Sequence, residues 1–591
     1  MALGGMYNLV QDTLASIYHS LKMDRSTSLQ HVVSQLQQIL STPDLPTYPT
    51  LADKASSNPV LTSILPQNTP SLNDLQSQAD LSSPLTNSST SSGSGSESDF
   101  IAQLASHLRT SILPSLNLAS LSPNYYGFVI GGATPAALLG DFLASIYDQN
   151  VHVHLPNETI STTLEVVTLN LLAQLFRLPP MDWSLGGNAS SAGGGGGVFT
   201  TGATASNILG LALGREYVLR HALSRKGITP DSTHTDEASW SCGEYGLAEL
   251  LLRAGASKIQ VLSTLPHSSI AKAASVLGIG RRNVISIAHS SSDNPLQIDL
   301  ERLRTEAQRP DVLNILAVSA GEVNTGRFAT NSLETMRQLR AMCDEYGLWM
   351  HVDGAFGLFG RVLPPAPDPD QSQSAEEFEE LRRGVEGLEL ADSITGDCHK
   401  LLNVPYDCGV FFTRHKTLSE DVFGNPGAAY LNKAAAVGGE GDGIQSPLNI
   451  GLENSRRFRA LPVYCTLMAY GREGYVDMLK RQIRLARRVT QWLMGDGRFE
   501  VLPSSGGGGG SGGAGQKEIL AKTFIVVLFR VRDEEKNRDF VTRVNATGRI
   551  YMSGTVWEGK PAARIAVSNW QADVERDGCL IESVLDEVVG H

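Results

Sequence analysis

The sequence lacks the features of secreted and membrane proteins. It has only six cysteines among 591 residues, and they show neither close pairing nor the spacing of zinc ligands. A secreted disulfide framework needs denser cysteines, so a reducing compartment fits better. No apolar run reaches the roughly 20 residues that cross a bilayer, and the N-terminus lacks the basic and apolar regions of a signal peptide. We therefore expect a cytoplasmic protein with no membrane partner.

Positive charge is also in short supply. The chain has 48 Lys and Arg residues against 61 Asp and Glu residues, and its formal net charge is -13 at pH 7. A protein that binds a phosphate backbone needs a basic surface, so we expect no nucleic-acid partner. Hydrophobic residues make up 41% of the chain and charged residues 18%, which is enough apolar material for a sizeable core. The composition thus predicts a large globular protein.

Periodicity and composition divide the chain into four predicted parts. Residues 1–40 carry helical periodicity, and residues 41–99 form a Ser- and Pro-rich segment that we interpret as a flexible linker. Residues 100–455 alternate helical stretches with short apolar runs, which is typical of a mostly parallel sheet with crossover helices. Residues 456–591 predict a smaller C-terminal α+β domain. The predicted elements are strands over 258–262, 284–287, 314–318, 348–352 and 410–413 in the large domain, and a helix over 467–494 with strands over 523–531 and near 564–567 in the small domain.

The most informative segment is a polar turn that carries a His-Lys pair. His399 and Lys400 precede the apolar run 410–413, so the lysine is held close to the predicted sheet. Most lysines are solvated surface charges, and that remains one interpretation. The other is catalytic, because a lysine confined beside other cationic groups loses its proton more easily and attacks carbonyls as the free amine.

A buried carboxylate precedes this pair in the chain. Asp353 follows the predicted strand 348–352, and the carboxyl ends of parallel strands face the ligand crevice of an α/β sheet. It is either an N-cap for the next helix or the partner of a protonated ring nitrogen, which an electron-sink cofactor requires. The residue alone does not decide between the two.

Two more candidates stand at helix entrances, and a third pattern is weaker. Ala203 and Thr204 open a helical run, where free backbone N–H groups bind phosphate, although Walker and dinucleotide glycine spacings are absent. His267 is either a helix cap or an imidazole that stacks on a planar ring. His152 and His154 alternate as on a strand, like metal ligands, but no third ligand is evident, so no metal site is predicted.

Together, and in this order, these segments resemble the group II pyridoxal phosphate (PLP)-dependent amino-acid decarboxylases, the family of aromatic-amino-acid, glutamate and cysteine-sulfinate decarboxylases. The similarity runs from about residue 122 to Trp570. It implies an α/β fold of PLP fold type I, with a mostly parallel seven-stranded sheet, a smaller C-terminal α+β domain and an active site at a homodimer interface. It also implies pyridoxal 5'-phosphate as the cofactor and an amino acid as the substrate.

The resemblance also implies roles for individual residues. A loop over 420–444 corresponds to the mobile loop of the family, and Tyr430 in it matches the catalytic tyrosine that protonates the substrate carbon; a spare loop tyrosine is the alternative. The other family positions fall on Lys400 (covalent link to the cofactor), Asp353 (pyridine nitrogen), His267 (ring stacking and proton return), Ala203 and Thr204 (phosphate), Ala355 (packing against the ring) and His399 (the residue before the lysine).

Two departures from the family pattern bear on the substrate more than on the cofactor. Leu401 replaces the tryptophan that follows the His-Lys pair in animal members. Val323 stands where many members carry a cofactor-facing hydroxyl, and Asn324 is a possible substitute.

An aromatic substrate is favoured because Tyr125, Tyr126 and Phe128 match the substrate-side aromatic segment of the family. The alternatives are an acidic amino acid such as glutamate or cysteine sulfinate, the aldehyde-forming variant of the family, and a non-catalytic PLP-binding scaffold. Retention of Tyr430 argues against the aldehyde-forming variant, whose members typically replace that tyrosine.

Overall fold

The structure, a computed structural model, describes residues 32–38, 64–66, 69–78, 97–186, 194–229, 240–289, 295–365, 377–424, 443–503 and 513–590. No helix within these ranges is both long enough and apolar enough to cross a membrane.

Two sheets organise the described residues. Their strands are β1 Tyr125–Tyr126, β2 Gly196–Thr200, β3 Lys258–Ser263, β4 Val284–Ser286, β5 Val312–Ser319, β6 Trp349–Asp353, β7 Ser393–Asp397, β8 Gly409–Thr413, β9 Phe499–Leu502, β10 Val526–Val531, β11 Tyr551–Trp557 and β12 Lys560–Ala566.

The larger sheet has seven strands in the order β2-β8-β7-β6-β5-β3-β4. Strands β3 to β7 pair in parallel, whereas β8 is antiparallel to both of its neighbours. The five strands predicted for the large domain are all present, within one or two residues of the expected bounds. This mostly parallel sheet, together with its helices, confirms the predicted α/β fold class.

Helices connect and cover the strands. In chain order they are α1 at 32–38, α2 Leu72–Gln78, α3 Glu97–His107, α4 Pro135–Tyr147, α5 Ser161–Leu175, α6 Pro180–Trp183, α7 Ala203–Arg225, α8 Cys242–Tyr245, α9 Leu247–Ala254, α10 Ser268–Val276, α11 Leu300–Ala307, α12 Leu333–Tyr346, α13 Glu379–Val385, α14 Cys398–Leu401, α15 Lys416–Phe423, α16 Ala460–Gly495, α17 Gly513–Lys522, α18 Glu534–Ala546 and α19 Val574–Gly590. A π-helical turn spans Leu108–Ile112, and short 3-10 helices lie at Leu113–Ser115, Arg281–Asn283, Gly357–Val362, Leu388–Leu390 and Pro447–Asn449.

The smaller sheet has five strands in the order β1-β11-β12-β10-β9. The helix predicted over 467–494 is α16, which bends at Gly471, where φ is 58° and a side chain would be strained. Strand β1 precedes the large sheet in sequence but pairs with β11 of the small domain, Tyr125 opposite Tyr551. Main-chain hydrogen bonds therefore join the entry to the large domain to the small domain.

The N-terminal part of the chain touches the rest of the protein at Ile64. This side chain is 4% exposed and packs with Tyr125 and Tyr551. Ile64 lies within the predicted linker 41–99, most of which lies outside the described residues, as does most of the segment 1–40. The four-part division of the chain stays a prediction.

The strand expected around His152 and His154 is wrong. Both residues lie in an irregular stretch after α4, where Val151 donates its backbone N–H to the carbonyl of Arg456 and pairs with no neighbouring strand. The His154 Nδ1 atom is 2.7 Å from the hydroxyl of Thr162, at the start of α5.

Two glycines allow α7 to lie close against β6. A Cβ atom would lie 2.4 Å from the imidazole of His351 if added at Gly210, and 2.9 Å from the indole of Trp349 if added at Gly214. Both rings are fully buried. Burial removes the hydration of an imidazolium, and it lowers the pKa of His351 from 6.5 to about 3. A neutral imidazole therefore lies behind the edge of the sheet.

This buried imidazole should make the fold sensitive to acid. Between pH 6.5 and about 3 the unfolded chain binds a proton at His351 that the folded protein does not. As the pH decreases through this window, the free energy of unfolding should thus fall by up to about 1.4 kcal/mol per pH unit. Above pH 6.5, His351 should cause no such loss. We expect His351→Gln to show a shallower decline between pH 7 and pH 5 in urea denaturation of the cofactor-free protein. Equal slopes in the two proteins would contradict this prediction.

Candidate active site

A cavity of about 490 Å³ opens at the carboxyl edge of the seven-stranded sheet. Asp353 ends β6 and Asp397 ends β7, and both line the cavity. Helix α7 begins beside them, and the small domain contributes Arg564 from β12. Strand ends, a helix N-terminus and the second domain thus surround one space, which is where open α/β sheets bind ligands.

The cavity brings together seven of the eight residues that the sequence singled out. Its lining includes Lys400, His399, Asp353, Ala355, His267, Ala203 and Thr204. The eighth, Tyr430, lies outside the described residues, as does most of the loop 420–444. Segments that are far apart in sequence therefore meet at one site.

Lys400 is held at the cavity wall by a short helix and an ion pair. It lies on α14, directly after β7, and its Nζ atom is 3.1 Å from Oδ2 of Asp397. The side chain is 22% exposed, whereas that of Asp397 is 3% exposed. The ammonium also lies 5.7 Å from the centre of the Phe356 ring, within cation–π distance. These contacts orient the amine without burying it completely.

Asp353 is a buried carboxylate with an unfilled acceptor capacity. Its residue exposure is 8%, and its Oδ2 atom accepts a hydrogen bond of 3.1 Å from the amide nitrogen of Asn207. Among the described residues, its Oδ1 atom has only a long contact of 3.4 Å with the backbone N–H of Ala355. A carboxylate has about four lone-pair sites, so a cationic N–H group in the cavity finds an acceptor here.

The N-terminus of α7 points at the same space. The helix has 23 residues and starts at Ala203, and its N-cap residue, Gly202, has no side chain that could bond to the first turn. The backbone N–H of Ala203 donates to Oδ1 of Asp397 at 2.6 Å, which shows that this helix end accepts an anionic group. Free N–H groups and the positive end of the helix dipole make such an end a phosphate site, and Thr204 adds a hydroxyl.

His267 is the N-cap of α10, so the capping interpretation of this residue is correct as far as its Nδ1 atom is concerned. That atom accepts a hydrogen bond of 3.2 Å from the backbone N–H of Ser269 and lies 2.7 Å from the Ser269 hydroxyl. The imidazole nevertheless lines the cavity. The capping contacts hold the ring at a fixed angle to the site, so the two interpretations are compatible.

His399 and Tyr406 form an aromatic pair beside the lysine. Their ring centres are 4.4 Å apart. The Nδ1–H group of His399 donates to the carbonyl of Cys408 at 2.9 Å, and burial lowers the pKa of this imidazole. Burial, and then the charge of Asp397, raises the pKa of the Tyr406 hydroxyl. Both side chains are therefore uncharged near neutral pH.

The sequence alone did not identify Asp397 or Arg564 as site residues. Asp397 lies three positions before Lys400, at the end of β7. Its place at a strand end beside the lysine was the signal that could have identified it. Arg564 gave no signal, because it comes from the small domain. Its guanidinium donates to the carbonyls of Val323 and Gly127 at 2.8 and 2.6 Å, and its Nε atom has no hydrogen-bond partner among the described residues.

Asn324, the possible substitute, does not line the cavity. Its amide nitrogen donates to Glu322, which does line the cavity, at 3.1 Å, and its oxygen accepts from the hydroxyl of Thr555 at 3.0 Å. Val323 lines the cavity instead. The cofactor-facing hydroxyl of the family pattern is thus absent at both positions.

The donor set of the cavity fits pyridoxal phosphate. A phosphate matches the start of α7, a protonated pyridine nitrogen matches Asp353, and an aldehyde matches the amine of Lys400. These three groups come from three different elements, α7, β6 and α14, and all of them line one cavity. The volume of about 490 Å³ leaves room for a substrate as well.

Comparisons with known proteins agree with this donor set. The pyridoxal-dependent decarboxylase conserved domain matches residues 256–508. Tryptophan decarboxylase 1 of Oryza sativa subsp. japonica is 25% identical over 476 residues, which is 78% of this chain and 79% of the relative. Phenylacetaldehyde synthase of Arabidopsis thaliana is 25% identical over 480 residues, which is 79% of this chain and 81% of the relative.

A solved structure has the same fold. The crystal structure of Oryza sativa TDC with PLP and tryptamine superposes with a TM-score of 0.66 at 21% identity and covers 96% of this chain and 98% of that one. The domain match over 256–508 contains His267, Asp353 and Lys400. In sequence and in fold, the chain is therefore similar to the pyridoxal phosphate-dependent decarboxylases, and residues 256–508 match their conserved domain.

Proposed function

We propose that this protein converts an aromatic L-amino acid to the corresponding amine and carbon dioxide, with pyridoxal 5'-phosphate as its cofactor. One observation carries the proposal. The amine of Lys400, the carboxylate of Asp353 and the imidazole of His267 line one cavity at the N-terminus of α7. This arrangement suits a cofactor with an aldehyde, a ring nitrogen and a phosphate.

Each residue has a role in holding the cofactor. The amine of Lys400 would hold the cofactor through its aldehyde group, and Asp397, at 3.1 Å from this amine, orients the lysine and balances its charge. Ala203 and Thr204 bind the phosphate at the helix end. His267 and Ala355 line the cavity and would pack against the ring, and His399 supports the lysine segment through its bond to Cys408.

The chemistry follows from charge control around the substrate. When bound, the cofactor supplies an electron sink for the pair of electrons left at Cα as carbon dioxide departs. Asp353 keeps a proton on the ring nitrogen, which makes the sink effective. Tyr430 is the proposed donor that returns a proton to Cα, with His267 as the other candidate. The Lys400 amine would hold the cofactor between turnovers and would be free only while the substrate occupies the cofactor.

The character of the cavity mouth supports an aromatic substrate. Phe128 is 58% exposed and Tyr406 is 55% exposed, and both line the cavity with Leu265 and Val323. Aromatic side chains pack well on such apolar surfaces. The same exposed rings support the proposal of a homodimer, because a partner subunit that covered them would close the site from solvent.

An acidic substrate is the second candidate, and Arg564 is the observation that favours it. Arg564 lines the cavity, and the residue is 6% exposed. Burial lowers the pKa of its guanidinium because the charged group loses hydration. A substrate carboxylate would compensate this charge. Two backbone carbonyls already occupy its Nη groups, so we rank this candidate lower.

A panel of amino acids distinguishes the two substrate classes. We expect mass spectrometry to detect amine and carbon dioxide from tryptophan, tyrosine or phenylalanine, and kcat/KM for glutamate and cysteine sulfinate to be lower by about 10²-fold or more. A preference for the acidic substrates that disappears in Arg564→Gln would favour the second candidate. Absence of turnover with every amino acid would leave the non-catalytic scaffold.

Removal of the lysine amine should abolish the reaction. We expect Lys400→Ala to reduce amine formation to background and to lose the visible absorbance of the bound cofactor, because no covalent link forms. Lys416→Ala is the matched control, since Lys416 bonds to the carbonyl of Gly443 and does not line the cavity. Borohydride reduction followed by peptide mapping should locate the cofactor on Lys400; a label on another residue would refute the assignment.

Replacement of Tyr430 tests the proposed proton donor. We expect Tyr430→Phe to lower the yield of amine by about 10²-fold or more, and to divert the reaction to oxidative deamination, which consumes dissolved oxygen. Oxygen consumption and amine yield are measured in the same sample. An unchanged amine yield would rule out this role for Tyr430.

A further inference from the structure

A continuous line of buried hydrogen bonds runs from the interior of the sheet to His267 in the cavity. Its members are fully or almost fully buried up to the last one. The contacts are Trp349 Nε1 to Ser393 Oγ at 3.1 Å, Ser393 Oγ to His351 Nδ1 at 2.8 Å, His351 Nε2 to Asn207 Oδ1 at 2.9 Å, Asn207 Nδ2 to Ser269 Oγ at 2.9 Å, and Ser269 Oγ to His267 Nδ1 at 2.7 Å. A branch joins Asn207 Nδ2 to Asp353 Oδ2 at 3.1 Å.

The branch to Asp353 fixes the direction of the amide. A carboxylate only accepts hydrogen bonds, so the Asn207 side chain must present its nitrogen to Asp353 and its oxygen to His351. His351 must then carry its proton on Nε2, the atom that faces this oxygen. The hydroxyl of Thr395 is a more distant neighbour of the same atom, at 3.5 Å.

The inner end of the line agrees with this assignment. Burial keeps His351 neutral, with a pKa of about 3, so its Nδ1 atom carries no proton and accepts from the hydroxyl of Ser393. The oxygen of Ser393 in turn accepts from the indole N–H of Trp349, which can only donate. Each contact in the line therefore pairs one donor with one acceptor.

The outer end then determines the state of His267. The oxygen of Ser269 accepts from the amide of Asn207, so its own proton is directed to Nδ1 of His267. The backbone N–H of Ser269 also donates to this Nδ1 atom. Two donors on Nδ1 leave the imidazole proton on Nε2.

We propose that Asn207 and His351 are positioning residues that hold His267 in the Nε2–H tautomer and hold Asp353 in place. This inference rests on the proposed function only for its catalytic meaning. In a decarboxylase site, His267 then presents an N–H donor to the substrate or cofactor, and its Nδ1 atom is not available as a base. Asn207 also connects Asp353 to His267 through Ser269, so these two cavity residues keep a fixed position relative to each other.

The cofactor-free protein provides a test that does not depend on turnover. In the ¹⁵N NMR spectrum of protein labelled at histidine, with the His267 signals assigned through His267→Gln, we expect an unprotonated Nδ1 and a protonated Nε2. In Asn207→Leu the Ser269 hydroxyl loses its donor, and we expect a measurable Nδ1–H population at His267. A wild-type His267 protonated on Nδ1, or a spectrum unchanged in Asn207→Leu, would overturn the proposal.

Two further variants guard against a simple loss of folding. Asn207→Asp keeps the size of the side chain but cannot donate to Ser269 or Asp353, so it should show the same change of tautomer. Asn207→Leu and Asn207→Asp should each weaken the binding of pyridoxal phosphate about tenfold to hundredfold, which corresponds to the loss of one or two hydrogen bonds to charged groups. Asn170→Leu is the matched control, because the Asn170 amide bonds to the backbone of Leu185 and Asn170 does not line the cavity.

The outcome is independent of the substrate proposal. If no amino acid were converted but the Asn207 variants changed the tautomer, the proposed function would fail and the positioning role would stand. If aromatic amino acids were converted and the Asn207 variants bound cofactor and kept the tautomer like the wild type, the positioning role would fail alone.

Discussion

A carboxylate buried at the end of a strand must be surrounded by donors, and the site depends on this requirement. Asp353 and Asp397 end adjacent parallel strands, and neither is exposed by more than a tenth. An uncompensated buried charge is costly. The compensating groups are the amine of Lys400 and the backbone N–H of Ala203 for one carboxylate, and the amide of Asn207 for the other. The two buried carboxylates would destabilise the sheet edge if they were left alone, and the donors that compensate them are residues of the site.

The two carboxylates differ in how completely they are satisfied. Both oxygens of Asp397 contact protein donors, whereas one oxygen of Asp353 has only a long contact, at 3.4 Å, within the part of the chain that the structure describes. The first is thus suited to orient a lysine, and the second to receive a cationic group from a ligand. This division of labour supports the assignment of Asp353 to a protonated ring nitrogen more strongly than its place in the sequence does.

The small domain completes the cavity through the main chain as well as through side chains. Strand β1 pairs with β11, and Arg564 reaches from β12 to the carbonyls of Gly127 and Val323. The position of the substrate-side wall therefore depends on the contact between the domains.

Much of the architecture was readable from the sequence, for a physical reason. Buried parallel strands are continuous apolar runs, so the strands at 258–262 and 410–413 were found within a residue of their bounds. The alternation at His152 and His154 misled, because two residues of alternating polarity do not make a strand without a neighbour to pair with. The sequence left open whether Asn324 faces the cavity, and in the structure its side chain bonds to Glu322 and Thr555.

The sequence by itself determined the chemical groups of the site: an amine, a carboxylate, an imidazole and a helix entrance, each carried by a local pattern. Only the tertiary structure decided which polar groups meet across the chain. Asn207 bonds to His351, and Arg564 reaches Val323, across more than a hundred positions of sequence. Local patterns report the burial and backbone state of a residue, whereas hydrogen-bond partners depend on how separate elements pack, and that is settled only when the chain is folded.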